Sequence, residues 1–153
     1  MQEMTIDHAL RATWQAVTKM YNEQAAQFDS TMATGFALLS IDPDEGTPST
    51  ALGPRMGMEA TSLSRTLKSM EQRGLIERRP NPEDGRGVLI YLTDFGKEKR
   101  AYSKERVLTF NAAVRNRVAP EKIEHFFETI EAINDLIQNK KIFNQNEELA
   151  SKE

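Results

Sequence analysis

The chain has no cysteine among its 153 residues. That excludes disulfide frameworks, thiolate metal sites and thiol redox sensing, and it fits a cytoplasmic compartment. The only histidines are His8 and His125. Each reads as a surface residue on a polar helix face, so metal sensing is not expected. No apolar run approaches the ~18 residues of a membrane span, and Met1 opens no basic-then-apolar signal segment. Also missing are a Gly-rich phosphate loop, a Gly-x-Ser-x-Gly elbow and a His-Glu-x-x-His site, so neither an enzyme nor a cofactor is expected. Adjacent Glu83 and Asp84 lie in a turn-forming stretch, where paired acids are ordinarily solvated rather than catalytic.

What remains is the composition of one soluble domain over residues 1–153, with 39% hydrophobic and 28% charged residues. The net charge of −3 argues against a nucleic-acid partner, but it is unevenly spread. From Thr47 to Arg106 there are twelve Lys/Arg against eight Asp/Glu, a local +4, and the remainder carries −7. A basic middle between acidic ends makes net charge misleading. Chance clustering on solvated faces would give the same count, so charge alone does not decide.

Periodicity places the elements. Ile6, Leu10, Trp14, Val17, Tyr21 and Phe28 form an apolar stripe on a 3.6 period, a first helix over 5–28 that Thr5 or Asp7 can cap. A second helix is expected from about Met32 to Ser40, broken by Asp42-Pro43-Asp44-Glu45-Gly46. Thr47-Pro48 is expected to restart a short helix, with threonine accepting free amides and proline at the first helical position. Gly53-Pro54 and Gly57 keep that helix short. A longer helix is expected from Met58 to about Arg73, stopped by a left-handed cap at Gly74. Strands are then expected at Leu75–Arg79 and Val88–Leu92 around a loop, Pro80 to Gly87. Thr93-Asp94 caps a helix to about residue 118, and Pro120 opens a last one with a stripe of Ile123, Phe126, Phe127, Ile130, Ile133 and Ile137. A polar tail, 139–153, is expected to fray.

Short helix, glycine turn, longer helix and hairpin make a winged helix-turn-helix, here over 32–93. The fold class is therefore mainly α with a small β-hairpin. In the longer helix Leu63, Leu67 and Met70 can pack inward against Leu52 and Met56. Thr61, Arg65 and Lys68 share the opposite face, flanked by Ser62 and Ser69. Hydroxyls followed by two cations suit the major groove: Arg65 could fork to guanine, and Ala60 could touch a thymine methyl. A merely solvated face carries the same residue types, so this helix does not decide by itself.

The stretch SLSRTLKSMEQRGLIERRPNPEDGRGVLIYLTDFG resembles the MarR family (multiple antibiotic resistance regulators) of winged-helix transcription factors. Four local features carry the resemblance: the Ser/Thr-rich helix, the Gly-Leu-Ile-x-Arg exit, the Asp-x-Arg wing and Leu-Thr-x-x-Gly at the next helix. It implies DNA contacts at Thr61, Ser62, Ser64 and Arg65, with Lys68 on a phosphate and Ser49 meeting another near a helix start. It also implies that Arg86 is the wing-tip arginine of the minor groove and that Asp84 orients it or ties down the wing. Arg78 and Arg79 lie near enough to meet phosphates, and Ile76, Val88, Ile90 and Leu92 anchor the wing's base. The family's commoner form is Asp-Arg-Arg; Gly85 stands where the second arginine often sits.

The resemblance further implies a homodimer that joins helices 5–28 and 94–138 and represses transcription at a pseudo-palindromic operator in double-stranded DNA. The residues agree, because Ile6, Leu10, Phe126, Phe127, Ile130, Ile133 and Ile137 need a partner; packing into a monomeric bundle is the alternative. A small aromatic or anionic effector is also implied, with Trp14, Met20, Tyr21, Phe28 and Met32 as candidate lining, though core residues look the same. A winged helix used only for protein–protein contact is the alternative to DNA binding.

Overall fold

The computed structural model describes residues 3–143. Within these residues the chain divides into two units, with the boundary between Arg106 and Val107.

In the first unit α1 (Ile6–Ala26) begins after Thr5, which takes the cap position without bonding a backbone amide. Its side chain bonds Asp7 instead, and that bond holds the exposed Asp7 carboxyl below its ordinary range. The helix ends before Phe28, and none of its residues is buried. Next, α2 (Met32–Ser40) has the bounds its pattern predicts, and Thr31 accepts the Thr34 amide at 3.2 Å as its cap. An edge-on contact between Tyr21 and Phe36, 5.7 Å between ring centres, joins the two helices.

Thr47-Pro48 departs from expectation. The pair forms not a helix start but a two-residue strand, β1 (Thr47–Pro48), antiparallel to the later strand over 84–92 with Thr47 opposite Ile90. The buried Thr47 hydroxyl is used to accept the Asp42 amide at 2.9 Å rather than to cap a helix. Proline is tolerated at this short sheet edge, where its missing N–H costs no ladder bond. The small hairpin is thereby a three-stranded sheet, with the strand over 84–92 lying between β1 and the strand over 76–81.

Helix α3 (Ser49–Met56) ends at Gly57, whose φ of 62° puts it in the left-handed region. A two-residue bridge delays α4 (Ala60–Gln72) past the expected start at Met58: Glu59 is still extended and occupies the cap position. Gly74, at φ 74°, terminates α4 as expected. Strands β2 (Ile76–Asn81) and β3 (Asp84–Leu92) run farther than expected, so most of the loop from Pro80 to Gly87 is extended, and Pro80, Asn81 and Asp84 of it are paired in the ladder. Only Pro82 and Glu83 separate the strands, and an irregularity at Pro80/Asn81 adjusts their register.

The core is one cluster in which Ala37, Leu38 and Ile41 meet Leu52, Leu63, Leu67, Met70, Leu75, Ile76, Ile90 and Leu92. Each large apolar side chain buried this way contributes roughly 1.5–3 kcal/mol. Helix α5 (Asp94–Arg117) is seated on it by Thr93, whose hydroxyl accepts the Gly96 amide at 3.0 Å and donates to the Gly74 carbonyl. Gly96 lets the helix approach the Leu75 carbonyl, where any β-carbon would collide.

The second unit contains the end of α5 and α6 (Pro120–Gln138), which opens on Pro120 and leaves Phe126, Phe127 and Ile137 exposed. Residues 139–143 follow; the remainder of the expected polar tail, 144–153, lies outside the described residues.

Candidate nucleic-acid interface

Helix α4 divides as its sequence requires. Leu63, Leu67 and Met70 are buried, while Thr61, Ser62, Ser64, Arg65 and Lys68 are exposed. The left-handed Gly57 and the extended Glu59 set the turn between α3 and α4, and the Met58 amide donates to the Gly53 carbonyl at 3.1 Å to close it. A shallow groove then runs between the two helices. Ser49, at the start of α3, and Ser64 of α4 both line it, together with Arg78 of β2. The surface so formed can donate hydroxyl and guanidinium hydrogens to an anionic backbone and expose a helix face to base edges.

At the wing tip the Asn81 side chain accepts the Glu83 amide and the Asp84 carboxylate accepts the Arg86 amide, each at 3.0 Å. These side-chain-to-backbone bonds fix the turn that polar, proline-containing sequence favours. Arg86 is exposed. A β-carbon built at Gly85 would meet no atom within 4 Å. Asp84 therefore acts on the backbone of the arginine it is expected to orient.

The consecutive arginines of β2 part company. Arg78 makes an ion pair with Glu71 of α4, Nε to Oε2 at 3.3 Å. Arg79 bonds Glu77 at 3.1 Å and stacks its guanidinium 4.2 Å from the centre of the Tyr91 ring.

Of the effector candidates, Phe28 lines the cavity of about 180 Å³ formed by the end of α1, α2 and the start of α5, and the other four do not. Trp14 is 54% exposed on α1. Met20, Tyr21 and Met32 are half-buried elsewhere, and burial pushes the Tyr21 phenol up from its ordinary value. The cavity draws instead on Arg73, Phe95, Lys99 and Tyr102. Phe28 and Tyr102 pack edge to face at 4.6 Å, and the Lys99 ammonium lies 5.1 Å from the Phe28 ring centre. Sequence periodicity could not join these residues, because they come from segments far apart in the chain. Both histidines are exposed.

A sequence model of the MarR family matches residues 31–88. Among curated proteins, the organic hydroperoxide resistance transcriptional regulator of Bacillus subtilis (strain 168) is 36% identical over 87 residues, 57% of this chain and 59% of that protein. The uncharacterized HTH-type transcriptional regulator YdgJ of the same organism is 28% identical over 88 residues, 58% of this chain and 54% of that protein. This chain thus spans little more than half the length of the curated relatives it matches. Among solved structures, the S. aureus MepR–DNA complex aligns with a TM-score of 0.79 at 18% identity, over 87% of this chain and 98% of that one. PcaV from Streptomyces coelicolor, in complex with its natural ligand, aligns with a TM-score of 0.74 at 22% identity, over 88% and 98%. At these identities the likeness is one of fold.

Proposed function

We propose, for a chain whose residues 31–88 form a MarR-family winged helix-turn-helix, that the protein is a sequence-specific double-stranded DNA-binding transcriptional regulator. The observation that carries this reading is the exposed face of α4, where Thr61, Ser62, Ser64, Arg65 and Lys68 stand clear of the core their helix helps build. That face enters the major groove, Arg65 forks onto a guanine edge, and Lys68 and Ser49 meet phosphates. Arg86, its backbone held by Asp84, reaches the flanking minor groove. The S. aureus MepR complex, a fold neighbour bound to DNA, supports the same reading.

The regulator works as a homodimeric repressor. Support comes from apolar side chains that the chain leaves in water: Ile6, Leu10 and Trp14 on α1, and Phe126, Phe127 and Ile137 on α6. Exposed rows of this kind mark surfaces that another chain covers. A two-fold dimer would present its recognition helices to half-sites about 34 Å apart. A small aromatic or anionic effector that occupies the α1–α2–α5 cavity releases the DNA; Lys99 and Arg73 supply cations there, and Phe28, Phe95 and Tyr102 supply rings.

The test is footprinting on genomic fragments selected by the purified protein, with sedimentation in parallel. A dimer protecting two half-sites about one helical turn apart is the expected result. A chain that selects no DNA would leave the winged helix as a protein–protein module.

A further inference from the structure

We propose that Arg78, and not its neighbour Arg79, supplies the phosphate contact at the base of the wing. The assignment rests on the DNA-binding reading above and concerns which of two adjacent cations serves it.

Arg78 and Arg79 are consecutive residues of the strand β2. Successive side chains point to opposite faces, so two consecutive arginines cannot both face the recognition helix. Pairing decides which one does. Ile76 stands opposite Leu92, and Arg78 stands opposite Ile90. Ile76, Ile90 and Leu92 are all buried in the core that α4 also enters, so Arg78 emerges on the α4 side of the sheet. It lines the groove that Ser49 and Ser64 also line.

Arg78 is also in a state suited to changing partner. Its ion pair with Glu71 uses Nε, and the side chains of the two are 35% and 46% exposed. Surface pairs of this kind are weak, and a phosphate can take the guanidinium from the carboxylate or share it through the terminal amino groups.

Arg79 is placed differently. It shares its face with Glu77 and Tyr91, which stand opposite each other in the ladder, and it is engaged by both. Tyr91 is wedged in turn: a β-carbon at Gly46 would lie 2.6 Å from its ring. Arg79 does not line the groove. Its guanidinium therefore lies on the outer face of the sheet, away from α4.

The experiment is a fluorescence-anisotropy titration of the full-length chain with a random-sequence duplex over a range of salt concentrations. Arg78→Ala should weaken binding severalfold and reduce the slope of log affinity against log salt by about two, one for each subunit of the dimer. Arg78→Lys, which keeps the charge, should retain the slope and guards against reading a folding defect as a lost contact. Arg79→Ala should leave the slope unchanged and the affinity within about twofold. Loss of slope in Arg79→Ala alone, or equally in both alanine variants, would overturn the assignment while leaving the DNA reading in place. A wild-type chain that binds no duplex would remove both.

Discussion

The Asp84 carboxylate accepts the backbone amide of Arg86 at 3.0 Å across a single glycine. The acid of the wing therefore shapes the backbone that presents the arginine. Asp84→Ala should loosen the tip and weaken DNA binding severalfold, since a bond of this kind contributes about 1 kcal/mol. Asp84→Asn keeps an acceptor and should bind at least as well as the wild type. Anisotropy with a fixed duplex distinguishes the two, and tighter binding by the alanine variant would mean that the carboxylate acts only by repelling phosphate.

Gly85 has room for a side chain, because nothing lies within 4 Å of its built β-carbon. Gly85→Arg should fold normally and bind duplex DNA several times more tightly. Its salt slope should be steeper by about two, from an added phosphate contact in each of the dimer's two wings. An unchanged slope in that titration would place position 85 away from the DNA.

Gly96 marks the closest approach between α5 and the wing's base. A β-carbon there would collide with the Leu75 carbonyl oxygen and lie 3.4 Å from the Leu92 side chain. Gly96→Ala should cost roughly 1–3 kcal/mol through forced backbone displacement. Thermal melting should show a fall of several degrees.

Asp42 organises the loop that delivers β1. Its carboxylate accepts the amides of Asp44 and Glu45 at 2.8 and 2.9 Å. These bonds, helped by Arg100 and Arg55, hold its pKa below the ordinary value of 3.8. A depressed carboxyl pKa contributes stability above the unfolded-state value, and that stability is lost as pH falls through the folded-state value. The melting temperature of Asp42→Ala should therefore lie below that of the wild type at neutral pH, and the gap should narrow below about pH 4. A gap that stays constant from pH 7 to pH 3 would rule out a role for the ionised carboxylate.

The sequence made α2, the Gly74 cap and the two faces of α4 legible, because each depends on neighbours within one or two turns. Thr47-Pro48 was misleading for the opposite reason. The pair is a good local helix start, and its pairing with Ile90 and Leu89 comes from more than forty positions along the chain. The wing strands extend past their expected ends because Asn81 and Asp84 read as loop, while the ladder pairs their backbones whatever their side chains. Of the DNA-contact candidates, Ser64 and Ser49 come together in one groove, whereas Arg79 turns to the sheet's other face. Strand alternation around Arg78 and Arg79 was a signal in the sequence that could have separated them. The cavity residues Arg73, Phe95, Lys99 and Tyr102 carried no such signal, since only the fold brings them to Phe28.

The central claim is that this chain binds duplex DNA through its winged helix. The most direct measurement is the affinity of the purified protein for a fluorescent duplex as salt is raised from about 50 to 200 mM. Phosphate contacts from two α4 helices and two wings predict a loss of roughly a thousandfold as counterions are released. Binding that is absent, or that changes little over this range, would contradict it.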